Sequence, residues 1–137
     1  MANLIRLAQS PLPLPLRTLR ARRSLLSLDN LAAAVLAAAV TPQPLRRPLI
    51  VADPDPLNVA QMITAMRAGL GRRPGLFYLP SSVLAWSFKL AGRSGLCRRL
   101  AEPLVADPSL LLKLGWVPRL STPDALAAVA RHVLPSI

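Results

Sequence analysis

The sequence predicts a mixed α/β fold, with about four short strands among five or six helices in one domain spanning residues 1–137. Three observations support that expectation. Short apolar runs closed by proline or turn residues recur at LPLPL (12–16), SLLSL (24–28), PLIVA (48–52) and GLFYL (75–79). Between them lie stretches with helical spacing of apolar residues and with start and stop residues at their ends. Hydrophobic residues make up 53% of the 137-residue chain against 17% charged, enough apolar surface for a core and unlike a disordered chain.

In chain order, residues 2–10 read as the end of a helix with Leu4, Ile5 and Ala8 on one side. LPLPL is extended, and proline's fixed φ and missing N–H restrict it to an edge strand. After strand 24–28, Asp29 or Asn30 is expected to cap a helix over 30–40 that Thr41-Pro42 ends. That helix is alanine-rich and apolar nearly all round, so it should be buried. PLIVA reads as a buried strand and Asp53-Pro-Asp-Pro as a turn. Asn58 then caps a helix with Gln61 completing a capping box. Its stripe is Val59, Met62, Ile63, Met66 and Leu70, and Gly71 stops it.

GLFYL, closed by Pro80, is the last expected strand. Ser81 or Ser82 caps a helix through Lys89 to about Ala91, with Gly92 behind it. An irregular segment carries Cys97, Arg98 and Arg99, and Asp107-Pro108 starts a brief helix ending at Gly115-Trp116. Thr122-Pro123-Asp124 supplies cap, first-position proline and first-turn acid for a final helix buried through Leu126, Val129, Ala130 and Val133.

Seventeen basic and six acidic residues give a formal charge of +11, which favours nucleic acid, acidic lipid or phosphorylated small molecules as partners. The basic residues are dispersed from Arg6 to Arg131, and two Phe, two Trp and one Tyr are too few for a stacking platform. A small basic nucleic-acid-binding protein is therefore the alternative reading, and nucleic acid is disfavoured. One cysteine, Cys97, excludes an internal disulfide and a cysteine metal cluster, which suits a reducing cytoplasm. The arginine-rich, acid-free start has the composition of a transit peptide. LAAAVLAAAV is ten residues long, against the ~20 needed to span a bilayer, and it follows a helix cap. No membrane partner is expected.

Arg6, Arg17, Arg20, Arg22 and Arg23 precede the first acid, Asp29. An arginine at the mouth of a strand, ahead of a capped helix, is one way to hold a phosphorylated ligand, because its planar fork of donors matches phosphate oxygens. A solvated basic surface is the competing reading. Catalytic patterns are missing. Gly69, Gly71 and Gly75 nearly spell GxGxxG, but the last spacing is one residue too long and they follow a helix instead of opening one. Tyr78 has Ser82 four residues on, where a Tyr-x-x-x-Lys pair needs lysine. His132, the sole histidine, suits a surface or packing role, and Trp86 and Trp116 suit core or rim. Asp53, Asp55 and Asp107 precede prolines, where aspartate commonly caps backbone. No zinc ligand set or activated nucleophile is visible.

The order of segments resembles one family. The PLPL strand, RRSLLSLDNL, LIVAD, NVAQMITAMRAGLGRRP, FYLP, LVADPSLLLKLGWVP and STPDAL are similar to the carboxy-terminal part of an extended short-chain dehydrogenase/reductase. The similar members are NAD-dependent epimerases/dehydratases of the UDP-glucose 4-epimerase type. The resemblance implies a small substrate-binding lobe for a UDP-sugar. In it, Arg23, six before Asp29, and Arg99, eight before Asp107, flank the diphosphate, while backbone near Leu14 and Leu16 meets the uracil. The chain departs from the family at Arg17, where glycine is usual, at Ala101-Glu102-Pro103, which brings a negative charge near the diphosphate, and at Leu110, where a basic residue is usual.

The family's Rossmann half, with its NAD site and Ser/Tyr/Lys set, has no counterpart here. The resemblance therefore implies a catalytically incomplete fragment of a longer enzyme, without a cofactor of its own. It is then either a truncated gene product or one half of a split gene, with a separately encoded Rossmann half as its partner in the second case.

Overall fold

A computed structural model describes residues 2–42, 46–90, 92 and 102–133. Among them the order is α1 (Ala2–Gln9), β1 (Arg22–Arg23), α2 (Leu28–Val40), β2 (Leu57–Asn58), α3 (Val59–Gly69), α4 (Ser81–Leu90), α5 (Ser109–Lys113) and α6 (Thr122–Val133). The architecture is mixed and rich in helix, and its two named strands are fewer than the four expected.

Helix α3 organises the main core. Its start is the expected capping box: Asn58 and Gln61 exchange side-chain and backbone bonds of 2.9 Å each. Its end is a Schellman turn in which the Arg72 N–H reaches the Arg67 carbonyl at 2.8 Å and the N–H of Gly71 (φ +67°) that of Ala68 at 3.0 Å. Between these ends Met62, Ile63 and Met66 are fully buried. Leu4, Ile5 and Ala8 of α1 and Leu126 and Ala130 of α6 pack in the same cluster. Helices α3 and α6 approach so closely that a Cβ on Gly69 would lie 2.4 Å from the Ala127 carbonyl oxygen.

A second cluster joins Ala34 of α2 to Leu111 and Trp116, with Leu49 and Val51 packed alongside. Trp116 is therefore a core residue, whereas Trp86 is exposed on α4. Contrary to expectation, α2 buries only Asn30 and Ala34, and Val35, Leu36 and Val40 are 58–70% exposed. Only its narrow alanine stripe has a described element against it. The helix also starts earlier than expected. Its cap is Ser27, whose hydroxyl oxygen accepts from the Asn30 N–H at 3.2 Å, so Asp29 and Asn30 lie inside the first turn. The last helix shifts likewise. Ser121 receives the Asp124 N–H at 3.3 Å, Thr122 is the first helical residue, and Val133 is exposed.

Strands are where the expectations fail. Strand character in the second segment covers Arg22–Arg23 and not 24–28, because the Ser27 cap turns the chain into α2. PLIVA (48–52) is not a strand. Beyond it the Asp53 N–H bonds Leu25, but no continuous ladder forms, and Ile50 is 55% exposed. LPLPL and GLFYL lie parallel, yet only Leu14 and Leu76 form a bridge. The register breaks after it, since the Phe77 carbonyl receives the Arg17 N–H at 3.4 Å where a continued ladder would use Leu16. Beyond the bridge Thr18 takes over the pairing, its hydroxyl exchanging hydrogen bonds with the backbone of Leu79. No described helix is long and apolar enough to cross a membrane.

Candidate functional site

Arg23 lies between two stretches of backbone. Leu57 of β2 pairs with it antiparallel and Leu104 pairs with it in parallel. The Leu104 N–H donates to the Arg22 carbonyl at 2.9 Å, and the Ser24 N–H donates to the Leu104 carbonyl at 2.8 Å. Ser24 adds a side-chain tie, its hydroxyl accepting from the Ala106 N–H at 3.0 Å. This miniature sheet holds the Arg23 side chain half-buried, while Arg6, Arg17, Arg20 and Arg22 are exposed. The Arg23 Nη2 reaches the Glu102 carbonyl only at 3.4 Å, and its Nε is buried without a partner among the described residues. A guanidinium carries five N–H donors, so most of that capacity is not used by the described residues. The structure thus brings Glu102 to this side chain through its main-chain carbonyl.

Arg99, the other expected diphosphate arm, lies outside the described residues, as does Cys97. Leu14 donates its N–H to Gly75 at 2.9 Å and its carbonyl accepts from Phe77 at 3.1 Å, so its backbone is engaged. The Leu16 carbonyl accepts from Leu19 at 3.1 Å, and its side chain is buried. Arg23 and Leu14 therefore belong to separate ladders. Exposed Arg17 lines a crevice of about 580 Å³ with Pro13, Thr64 and Phe77, beside the Leu14 ladder.

The near-match to a dinucleotide-binding loop does not form one among the described residues. The glycines that nearly match a dinucleotide loop lie at and after the end of α3, with Gly69 pressed on Ala127 and Gly75 on Arg67. No helix start is thereby offered to a pyrophosphate. His132 is exposed with Nδ1 2.9 Å from the Ala128 carbonyl oxygen. Asp107 caps Ser109, accepting its N–H at 2.9 Å, as its place before proline suggests. Among the described residues no three His, Cys, Asp or Glu side chains gather as a metal site.

The burial of Arg67, Asn30 and Thr122 goes beyond what local sequence signals indicate. Arg67 is 3% exposed and donates to carbonyls of Leu7, Ser10, Leu12, Pro74 and Gly75. Its position four after Ile63 and eight after Val59, on the apolar stripe, was the available sign. Asn30 is fully buried and uses both ends of its amide: Nδ2 donates to Asp53 and to the Leu120 carbonyl at 2.8 Å each, and Oδ1 accepts from Arg119 and Leu120. Thr122, displaced from the cap by Ser121, has a buried hydroxyl with no partner among the described residues.

No family model and no solved structure matches the chain. Among curated proteins it is similar to a UDP-glucose 4-epimerase of Vibrio cholerae, with 26% identity over 135 residues that cover 97% of this chain and 41% of that protein. The chain thus spans about two fifths of the length of the relative it matches.

Proposed function

We propose that this chain is an epimerase-related lobe that binds a UDP-sugar, with Arg23 on its diphosphate. The observation that carries the reading is the half-buried Arg23 guanidinium, held by β1 with its Nε lacking a described partner. Charge-assisted bonds from such a fork to phosphate oxygens are among the stronger hydrogen bonds available. Similarity to a UDP-glucose 4-epimerase along nearly the whole chain supports the same ligand class. Arg99 is the second arm of the clamp. The uracil N3–H donates to the carbonyl of Leu14 or Leu16, each of which keeps one lone pair beyond the bonds from Phe77 and Leu19.

The hydride chemistry, with its NAD, belongs to a Rossmann half that residues 1–137 do not contain, so these residues by themselves bind and orient but do not epimerise. NMR titration of the chain with UDP and with uridine tests this. UDP should bind in fast exchange and shift Arg23 and Leu104, with uridine at least tenfold weaker. Equal affinity for the two would remove the diphosphate from the reading.

A further inference from the structure

We propose that the cleft between residues 25–28 and α6 binds an amphiphilic amine, a ligand with an apolar body and one ammonium head. The cleft has a volume of about 380 Å³, within the range of roughly 300–1,000 Å³ found for small-molecule sites. Its walls are apolar: Leu25 and Leu28 on one side, Leu126, Val129 and Val133 on the other. Its formal charges are of one sign. Asp53 and Asp29 both line it, so two of the six acids of a +11 chain meet there, and no lysine or arginine does.

Asp53 is 2% exposed. Its oxygens accept from the Ser27 N–H at 3.1 Å and the Asn30 Nδ2 at 2.8 Å, both neutral donors. A carboxylate so deeply buried gains strongly from a cation that enters beside it. Thr122 also lines the cleft, 1% exposed, with a hydroxyl that has no partner among the described residues. Since Ser121 has taken the capping role, nothing in the described fold uses that oxygen. His132 lines the cleft too. Its Nδ1 lies 2.9 Å from the Ala128 carbonyl oxygen.

An ammonium brings three donors to this set of acceptors, and an alkyl body fills the leucine and valine walls. A phosphate or carboxylate head meets two acids instead, so this cleft selects the opposite charge from Arg23. The inference therefore does not depend on the nucleotide-sugar reading.

The probes are n-hexylammonium, 1-hexanol and hexanoate, titrated against the full chain by NMR. Hexylammonium should shift Ala125 and Val129 saturably, hexanol should bind at least tenfold more weakly, and hexanoate should leave these signals in place. Thr122→Val should weaken hexylammonium about tenfold without lowering the thermal midpoint, because the hydroxyl removed has no partner among the described residues. Asp29→Asn, at an exposed position, should weaken it with the fold intact and serves should Thr122→Val not fold. Arg23→Ala should not change amine binding. Hexanol binding as well as hexylammonium, or neither substitution in a folded chain altering amine affinity, would overturn the proposal and leave a plain apolar cleft.

Discussion

The Arg67 guanidinium occupies the space that a side chain on Gly75 would need: a Cβ there would fall 2.6 Å from Nη1. Nη1 reaches the Pro74 carbonyl at 2.6 Å, and Nη2 reaches those of Ser10 at 2.9 Å and Leu12 at 3.0 Å. One buried cation thus joins the end of α1, the start of the LPLPL segment and the start of the GLFYL segment. Its described acceptors are all main-chain carbonyls. Arg67→Met should strand several of these at once and lower stability by on the order of 3 kcal/mol, since an orphaned buried acceptor costs roughly 1–3 kcal/mol. Arg67→Lys should fall between the two, because a point charge with three donors cannot copy the fork. Urea denaturation of the three proteins measures both.

Gly69 and Gly71 separate two reasons for glycine. At Gly69 the constraint is space, with the Ala127 backbone 2.4 Å from an added Cβ. At Gly71 no atom lies within 4 Å, but φ is +67°. Gly69→Ala should force α3 and α6 apart, cost about 1–3 kcal/mol, and move the amide signals around Ala127. Gly71→Ala should cost about 1 kcal/mol and leave those signals alone. Equal shifts at Ala127 from both variants would refute the close approach.

Asn30 ties α2 to Asp53 and to the 119–120 loop with four hydrogen bonds of 2.7–3.1 Å. Asn30→Asp keeps the shape but replaces a donor with an oxygen facing the Asp53 carboxylate. It should destabilise by on the order of 3 kcal/mol, more than Asn30→Ala, which loses the bonds without adding repulsion. Thermal unfolding ranks the two, and Asn30→Ala ranking as the more damaging would contradict the assigned amide orientation.

Local chemistry was legible in the sequence and long-range pairing was not. The Asn58 box and the Gly71 stop lie within a few residues of what they act on, so both ends of α3 could be read directly. The runs at 24–28 and 48–52 have strand composition, but a strand also needs a partner with free donors, and composition says nothing of that. Arg23 could be read as a phosphate candidate. Its burial could not, because it depends on Leu104 and Glu102 about eighty residues away. Thr122 has the composition of a cap, but Ser121, one residue earlier, makes the capping bond. That one-residue difference leaves a hydroxyl without a partner among the described residues beside the cleft.

The final prediction separates a diphosphate site from a generally basic surface. If Arg23 holds a diphosphate, Arg23→Ala should weaken UDP about tenfold or more, since charge-assisted hydrogen bonds contribute roughly 1.5–3 kcal/mol each. Arg6→Ala and Arg131→Ala, both at exposed positions, should change UDP affinity little. A surface that binds nucleic acid by counterion release behaves differently. Each arginine removed weakens a short oligonucleotide by a similar factor, and affinity falls steeply with salt, with a log–log slope of about −0.7 per phosphate contacted on a single strand. Titrating UDP and an oligonucleotide against the wild type and the three variants, at two salt concentrations, distinguishes these outcomes. A loss concentrated at Arg23, with UDP preferred and salt dependence shallow, is the expected result. Equal small losses at all three arginines, with the oligonucleotide preferred, would leave only a basic surface.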